Sequence, residues 1–165
     1  MGNPVLTQQA RPVLDPTAHD LNTLVLDMIE TMIAAPGVGL AAPQVGASLQ
    51  LVVFQVPPGR GLEEVALTVL LNPQIEPLDD RVELGYEGCL SIPGLTGPVP
   101  RWSKIGYRGL GLDGKLIERE AEGFHARVVQ HECDHLVGRL YPTRMTDLSK
   151  LAFVDELQRQ SEAPE

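Results

Sequence analysis

Cysteine is scarce in this chain. Cys89 and Cys133 are the only two, too few for a disulfide framework, and a reducing compartment keeps both as thiols. Positive charge is also short: 13 Lys and Arg against 22 Asp and Glu leave a net charge of -9, and neither a phosphate backbone nor an anionic lipid surface attracts such a protein. Direct nucleic-acid or membrane binding is therefore not expected. No segment reaches the roughly 20 consecutive apolar residues of a membrane span. The start, Met1-Gly2-Asn3-Pro4-Val5-Leu6, lacks the basic residues and long apolar stretch of a secretory leader, so the expected location is cytoplasmic. What remains suits one compact domain of 165 residues, 43% of them hydrophobic.

Asp20 to Ala35 carries Leu21, Leu24, Val25, Met28, Ile29, Met32 and Ile33 at helical spacing, which predicts a helix with one buried stripe, ended by Pro36-Gly37. Gly37 to Gly46 is small and irregular, suited to close approach by another chain or ligand. Leu49–Val56 and Val65–Asn72 are Val- and Leu-rich runs between Pro and Gly punctuation, read as paired strands. Lys104–Leu112 and Lys115–Ala121 flank Asp113-Gly114, a two-residue hairpin signal. Phe124–Val137 reads as a second helix ending near Gly138, Leu148–Gln160 as a third, and Ser161–Glu165 as a frayed tail. Strands grouped between helices predict an α+β fold, with antiparallel or mixed sheets around a central helix.

That central helix holds Gln130-His131-Glu132-Cys133-Asp134-His135. At about 100° per residue, His131 and His135 share a face and can grip one metal ion. Glu132 and Asp134 fall about 80° to either side, oblique for coordination but close enough to serve the site. Glu132 is read as a general base toward water activated by the metal. With 4 His among 165 residues, chance supplies such a pattern on the order of 0.01 times. Cys133 faces about 180° away and is read as a small buried apolar residue.

Two histidines need a third protein ligand. No His follows His135. Asp155 or Glu156 would make the chain a zinc endopeptidase; the better candidate is Cys89, in the Gly-flanked loop Gly85-Tyr86-Glu87-Gly88-Cys89-Leu90-Ser91-Ile92-Pro93-Gly94. A thiolate and two neutral imidazoles leave a divalent metal at a formal +1, which acidifies water less and makes an adjacent base more useful. A non-catalytic, metal-stabilised module that docks peptide ends is the alternative from another class.

Gly37-Val38-Gly39-Leu40-Ala41-Ala42-Pro43-Gln44, then Glu87-Gly88-Cys89-Leu90-Ser91, then Gln130 to Gly138 resemble, in order and spacing, the three signatures of the peptide deformylases. The resemblance spans roughly Leu24 to Met145 and implies a single catalytic domain over residues 1–165. It implies removal of the N-formyl group from the N-terminal methionine of newly made polypeptides, with formate released and the ribosome a transient partner. Cys89, His131 and His135 would hold one divalent ion, Fe2+ natively, with Zn2+, Ni2+ or Co2+ as substitutes. Glu132 would move the proton, while the Gln44 amide and the Leu90 backbone N–H would stabilise the developing oxyanion. The extended substrate would lie between Val38-Gly39 and Gly85-Tyr86, its methionine against Val38, Phe124, Val128 and the flank of His131. In the plain alternative Phe124 and Val128 are core residues one helical turn apart. Thr96 stands where many members have a substrate-holding arginine, and Arg127 where an aliphatic residue is common, its head expected to reach solvent. Gly94 to Trp102 looks nearer to the mitochondrial-like branch. Arg101 is expected to pair with Glu87 and brace the Cys89 loop.

Overall fold

A computed structural model describes residues 1–162, with the side chain of Glu162 excluded; the last three positions of the expected tail, 163–165, lie outside the described residues. The first helix, α1 (His19–Ala34), buries Leu21, Val25, Met28 and Met32. Ile33 is instead 60% exposed, so the stripe is narrower than the sequence pattern suggested. The five-stranded antiparallel sheet runs β1 (Gly39–Ala41), β2 (Leu51–Val56), β3 (Val65–Pro77), β6 (Lys104–Leu110), β7 (Leu116–Glu122) in spatial order. The expected pairing of β2 with β3 is present, with Leu51 opposite Leu71.

β2 explains how the layers stack. Its side chains alternate between two cores: Leu51 and Val53 pack toward α1, whereas Val52, Phe54 and Val56 pack with Val128 and Val129 of α2 (Phe124–Leu136). A strand covered on both faces needs an unbroken apolar run, which is what Leu51–Val56 supplies. The second sheet has the order β4 (Val82–Cys89), β5 (Ile92–Trp102), β8 (Ala152–Phe153). Helix α2 touches strands of both sheets. The class is α+β, with the histidine-bearing helix at the centre.

Several expectations are corrected. The irregular segment after Gly37 contains strand β1 and a short 3-10 turn over Ala42–Val45. The expected Cys89 loop is the end of a long hairpin, β4 and β5, with Cys89 at the last residue of β4. Prolines disguised it. Trp102 turns its N–H away from β4 to Gln130, and Pro98 and Pro100 share its parity, so their missing donors cost no ladder bond to β4. The β6–β7 connection is not a two-residue turn: Gly114 donates to Gly111, Gly111 donates to Lys115, and only Gly114 has positive φ (73°). That is a three-residue loop with its glycine in the left-handed position. The third helix is shorter than expected, α3 (Val154–Glu162), because Ala152 and Phe153 pair with Thr96 and Leu95 first.

Helix α2 ends as its sequence suggested. Gly138 (φ 71°) donates to His135 and Arg139 to Asp134, the paired bonds of a Schellman cap. No described helix is long and apolar enough to cross a membrane.

Candidate metal centre

Cys89 at the tip of β4 meets His131 and His135 of α2, and the three potential ligand atoms lie within 4.8 Å of one another. Cys89 Sγ is 3.3 Å from His135 Nε2. A tetrahedral site with bonds of about 2.1 Å to nitrogen and 2.3 Å to sulfur sets its donors about 3.4–3.6 Å apart, so the spacing fits a single ion. One thiolate and two imidazoles also match the softness of late divalent metals. Asp155 and Glu156 lie exposed at the start of α3 and are not among the residues that converge there.

His131 is aimed by Glu87, whose Oε2 lies 2.8 Å from Nδ1. With Nδ1 engaged, Nε2 is the atom left for a metal. Glu87 is itself held in a buried fork: Arg101 donates Nε to Oε1 (2.9 Å) and Nη2 to Oε2 (3.0 Å). Burial works against its charge, but the hydrogen bonds and charges of His131 and Arg101 overcome that and bring its pKa down to about 2. The expected Arg101–Glu87 pair is therefore present, and it reaches further than expected, since Arg101 also donates to Asp134. Asp134 faces away from the ligands, between Arg101 and Arg144. The hairpin carrying the thiol is thus fastened to the helix carrying the imidazoles by a chain of ion pairs.

Glu132 is 4% exposed, and its Oε2 has no hydrogen-bond partner. Burial pushes its carboxyl up to about 7, against the pull of His131, which places a proton acceptor near neutral pH. Gly39 makes room for it: a Cβ built there would lie 2.2 Å from Glu132 Oε1. Gly39→Ala is therefore expected to displace the carboxylate and lower kcat about 100-fold with metal content unchanged, measured by formate release and metal analysis on one sample. Cys133 sits on the far side of α2 against the core around Phe54 and Val129, and burial pushes its thiol pKa up.

Gln44 accepts from the Ala41 N–H through Oε1 (2.8 Å), which turns its Nε2 toward Cys89 Sγ (3.6 Å) and Ser91 Oγ (3.2 Å). Leu90 follows Cys89 at the hairpin tip. A cleft of about 490 Å³ opens beside these groups, lined among others by Val38, Gly39, Tyr86, Leu90, Phe124 and Val128. Gly85 is not among its lining residues. β1 and β4 each end a sheet, so the cleft lies between two strand edges.

The polypeptide deformylase family model matches residues 1–151. Peptide deformylase 1 of Bordetella pertussis is 55% identical over 160 residues, covering 95% of this chain and 91% of that one. The chain belongs to the peptide deformylase family. Members are hydrolases that remove the N-formyl group from new polypeptides, and this deformylase has their fold. A Met-Ala-Ser-bound class I type b peptide deformylase from Acinetobacter baumannii superposes with a TM-score of 0.82 at 37% identity, over 88% of this chain and 94% of that one. The peptide deformylase of Thermotoga maritima gives 0.80 at 39% identity, over 89% and 95%.

Two departures from the common deformylase pattern acquire structural meaning. Thr96 donates its hydroxyl to the Glu87 carbonyl (2.9 Å), tying β5 to β4. Arg127 does not send its head to solvent: its side chain is 13% exposed and its guanidinium is spent on Glu87 and on backbone carbonyls of the β4–β5 hairpin, two of its acceptors, Glu87 and Val99, being buried residues. Sequence reasoning missed the Glu87–His131 bond, the Ser91 hydroxyl on Gln44, and Tyr141, whose ring stacks on His131 with centroids 6.3 Å apart. No local period signals these contacts, because each joins separate elements.

Proposed function

We propose that this deformylase holds one divalent ion on Cys89, His131 and His135, ferrous iron in the native enzyme, with zinc, nickel or cobalt as substitutes. The observation that carries this is the convergence of one sulfur and two ring nitrogens within 4.8 Å. When bound, the ion supplies Lewis acidity that polarises the formyl carbonyl and acidifies water. In the protein alone, burial opposes a charge on His131, but hydrogen bonds to Cys89 and Glu87 outweigh it and hold the ring's pKa up to about 10. Binding the ion must displace that proton.

The remaining chemistry belongs to the protein. Glu132, buried and without a partner on Oε2, takes the proton of the attacking water and delivers it to the leaving amine. Gln44 Nε2, fixed by the anchored Oε1, and the Leu90 backbone N–H donate to the oxygen as negative charge builds on it. The formyl-methionyl peptide enters as an extended strand between β1 and β4, pairing with the backbone at Val38-Gly39 and at Gly85-Tyr86. The Met-Ala-Ser complex of the Acinetobacter relative supports a peptide with an N-terminal methionine in this cleft. The methionine side chain packs on Val38, Phe124, Val128 and the flank of His131, all of which line the cleft.

Residues 1–165 act as one catalytic unit in the cytoplasm, meeting nascent chains at the ribosome transiently. The net charge of -9 supports a short encounter rather than lasting attachment to RNA. The test is formate release from a formyl-Met tripeptide, with bound metal quantified in the same sample. Activity that tracks iron content, and that falls in aerobic compared with anaerobic preparations, is the expected result. No formate from a metal-loaded sample would overturn the reading.

A further inference from the structure

Arg127 lies one helical turn before His131 on α2, and its guanidinium reaches both strands of the β4–β5 hairpin. Nη1 donates to the carbonyls of Gly85 (3.2 Å) and Val99 (2.8 Å) and to Glu87 Oε1 (2.9 Å). Nη2 donates to the Glu83 carbonyl (2.9 Å). One side chain thus spans β4 at Glu83, Gly85 and Glu87. Only a planar group with several fixed donors can meet so many acceptors at once; a lysine ammonium cannot reproduce that fork. Gly85 is the counterpart. A Cβ there would stand 2.8 Å from Arg127 Nη2 and 2.9 Å from Cζ, so the bare backbone at Gly85 is what admits the guanidinium.

β4 is an edge strand, its other side paired to β5. An edge strand keeps its place only through what grips it from one side and from its faces. Here Arg127 grips the face toward α2, and Arg127 itself also lines the cleft. We propose that Arg127 and Gly85 form one unit that positions the substrate-pairing edge of β4. Arg127 is then a positioning residue that governs recognition of the peptide backbone downstream of the formyl-methionine, not the hydrolytic step. The inference rests on the cleft between β1 and β4 being the peptide site.

The experiment compares two substrates: a formyl-Met-Ala-Ser tripeptide, which can pair along β4, and formyl-methionine amide, which has no further backbone to pair. Arg127→Ala is expected to raise KM for the tripeptide about 30-fold, the factor expected when a misplaced β4 edge forfeits about two hydrogen bonds to the peptide backbone, with a much smaller fall in kcat. On the amide, the loss in kcat/KM should be at least about tenfold smaller than on the tripeptide, with metal quantified in both preparations and rates expressed per bound ion. Equal losses on both substrates, or no loss on either, would overturn the proposal. Gly85→Ala provides the check should Arg127→Ala fold poorly. It should raise the tripeptide KM about tenfold when Arg127 is present and have little effect in an Arg127→Leu background. A penalty that persists unchanged in that background would also overturn it. Should the unmodified enzyme release no formate from either substrate, the deformylase reading itself fails, an outcome distinct from lost selectivity.

Discussion

Glu132→Gln is expected to lower kcat about 1,000-fold while leaving metal content and fold intact. The substitution keeps the size and shape of the side chain, so the close fit against Gly39 is preserved, but an amide cannot accept a proton at neutral pH. Proton transfer by a positioned side chain contributes about 100- to 10,000-fold, and the carboxylate has the environment for that role: 4% exposed, one oxygen without a partner, pKa raised to about 7 by burial. Exchanging an unpartnered buried carboxylate for an amide should not lower the melting temperature, because the cost of burying that charge disappears. Formate release at saturating tripeptide, thermal melting and metal analysis of the same preparation check all three statements. A kcat within about tenfold of the unmodified enzyme would remove Glu132 from the proton path.

Cys89→Ala is expected to abolish metal retention and, with it, activity. Two imidazoles on one helix bind a divalent ion far more weakly than a three-ligand set, because the third ligand both neutralises charge and closes the geometry. Here it also bridges the layers, since the sulfur is the only contribution of the β4–β5 hairpin to the ligand group. Metal per chain after gel filtration should fall from about one to near zero. Cys133→Ala, on the helix that carries the two imidazoles, is the matched control. Partly buried, Cys133 packs against the core and is not among the ligand group, so metal should be kept and stability should fall by about 1 kcal/mol, measured by urea unfolding. Asp155→Ala should retain metal as well. Loss of metal from that variant, with retention in Cys89→Ala, would restore the endopeptidase alternative.

Features that depend on short-range periodicity were readable without coordinates. The spacing of His131 and His135, the stripe on α1 from Leu21 to Met32, the apolar run of β2 and the Gly138 stop each follow from helix or strand geometry over a few residues, and each is present. The β4–β5 hairpin was hidden because its Gly and Pro content mimics a loop, while its proline positions are tolerable only in the register that the folded sheet chooses. Arg127 departs from its expected exposure for a related reason. A long cationic side chain beside a pocket ordinarily seeks water, and what holds it inside is a set of carbonyls from residues 83, 85 and 99, more than 27 positions away in sequence.

The chain itself determined the chemistry: one helix turn fixes two imidazoles and a carboxylate relative to each other, because 3.6 residues per turn leaves them little choice. Tertiary structure decided the assembly. Whether Cys89 reaches those rings, whether Glu87 aims His131, and whether Glu132 and Arg127 fill the space that Gly39 and Gly85 leave open depend on how β1 and the β4–β5 hairpin dock on α2. That docking is set by buried ion pairs and packing between residues distant along the chain, and no local spacing encodes it.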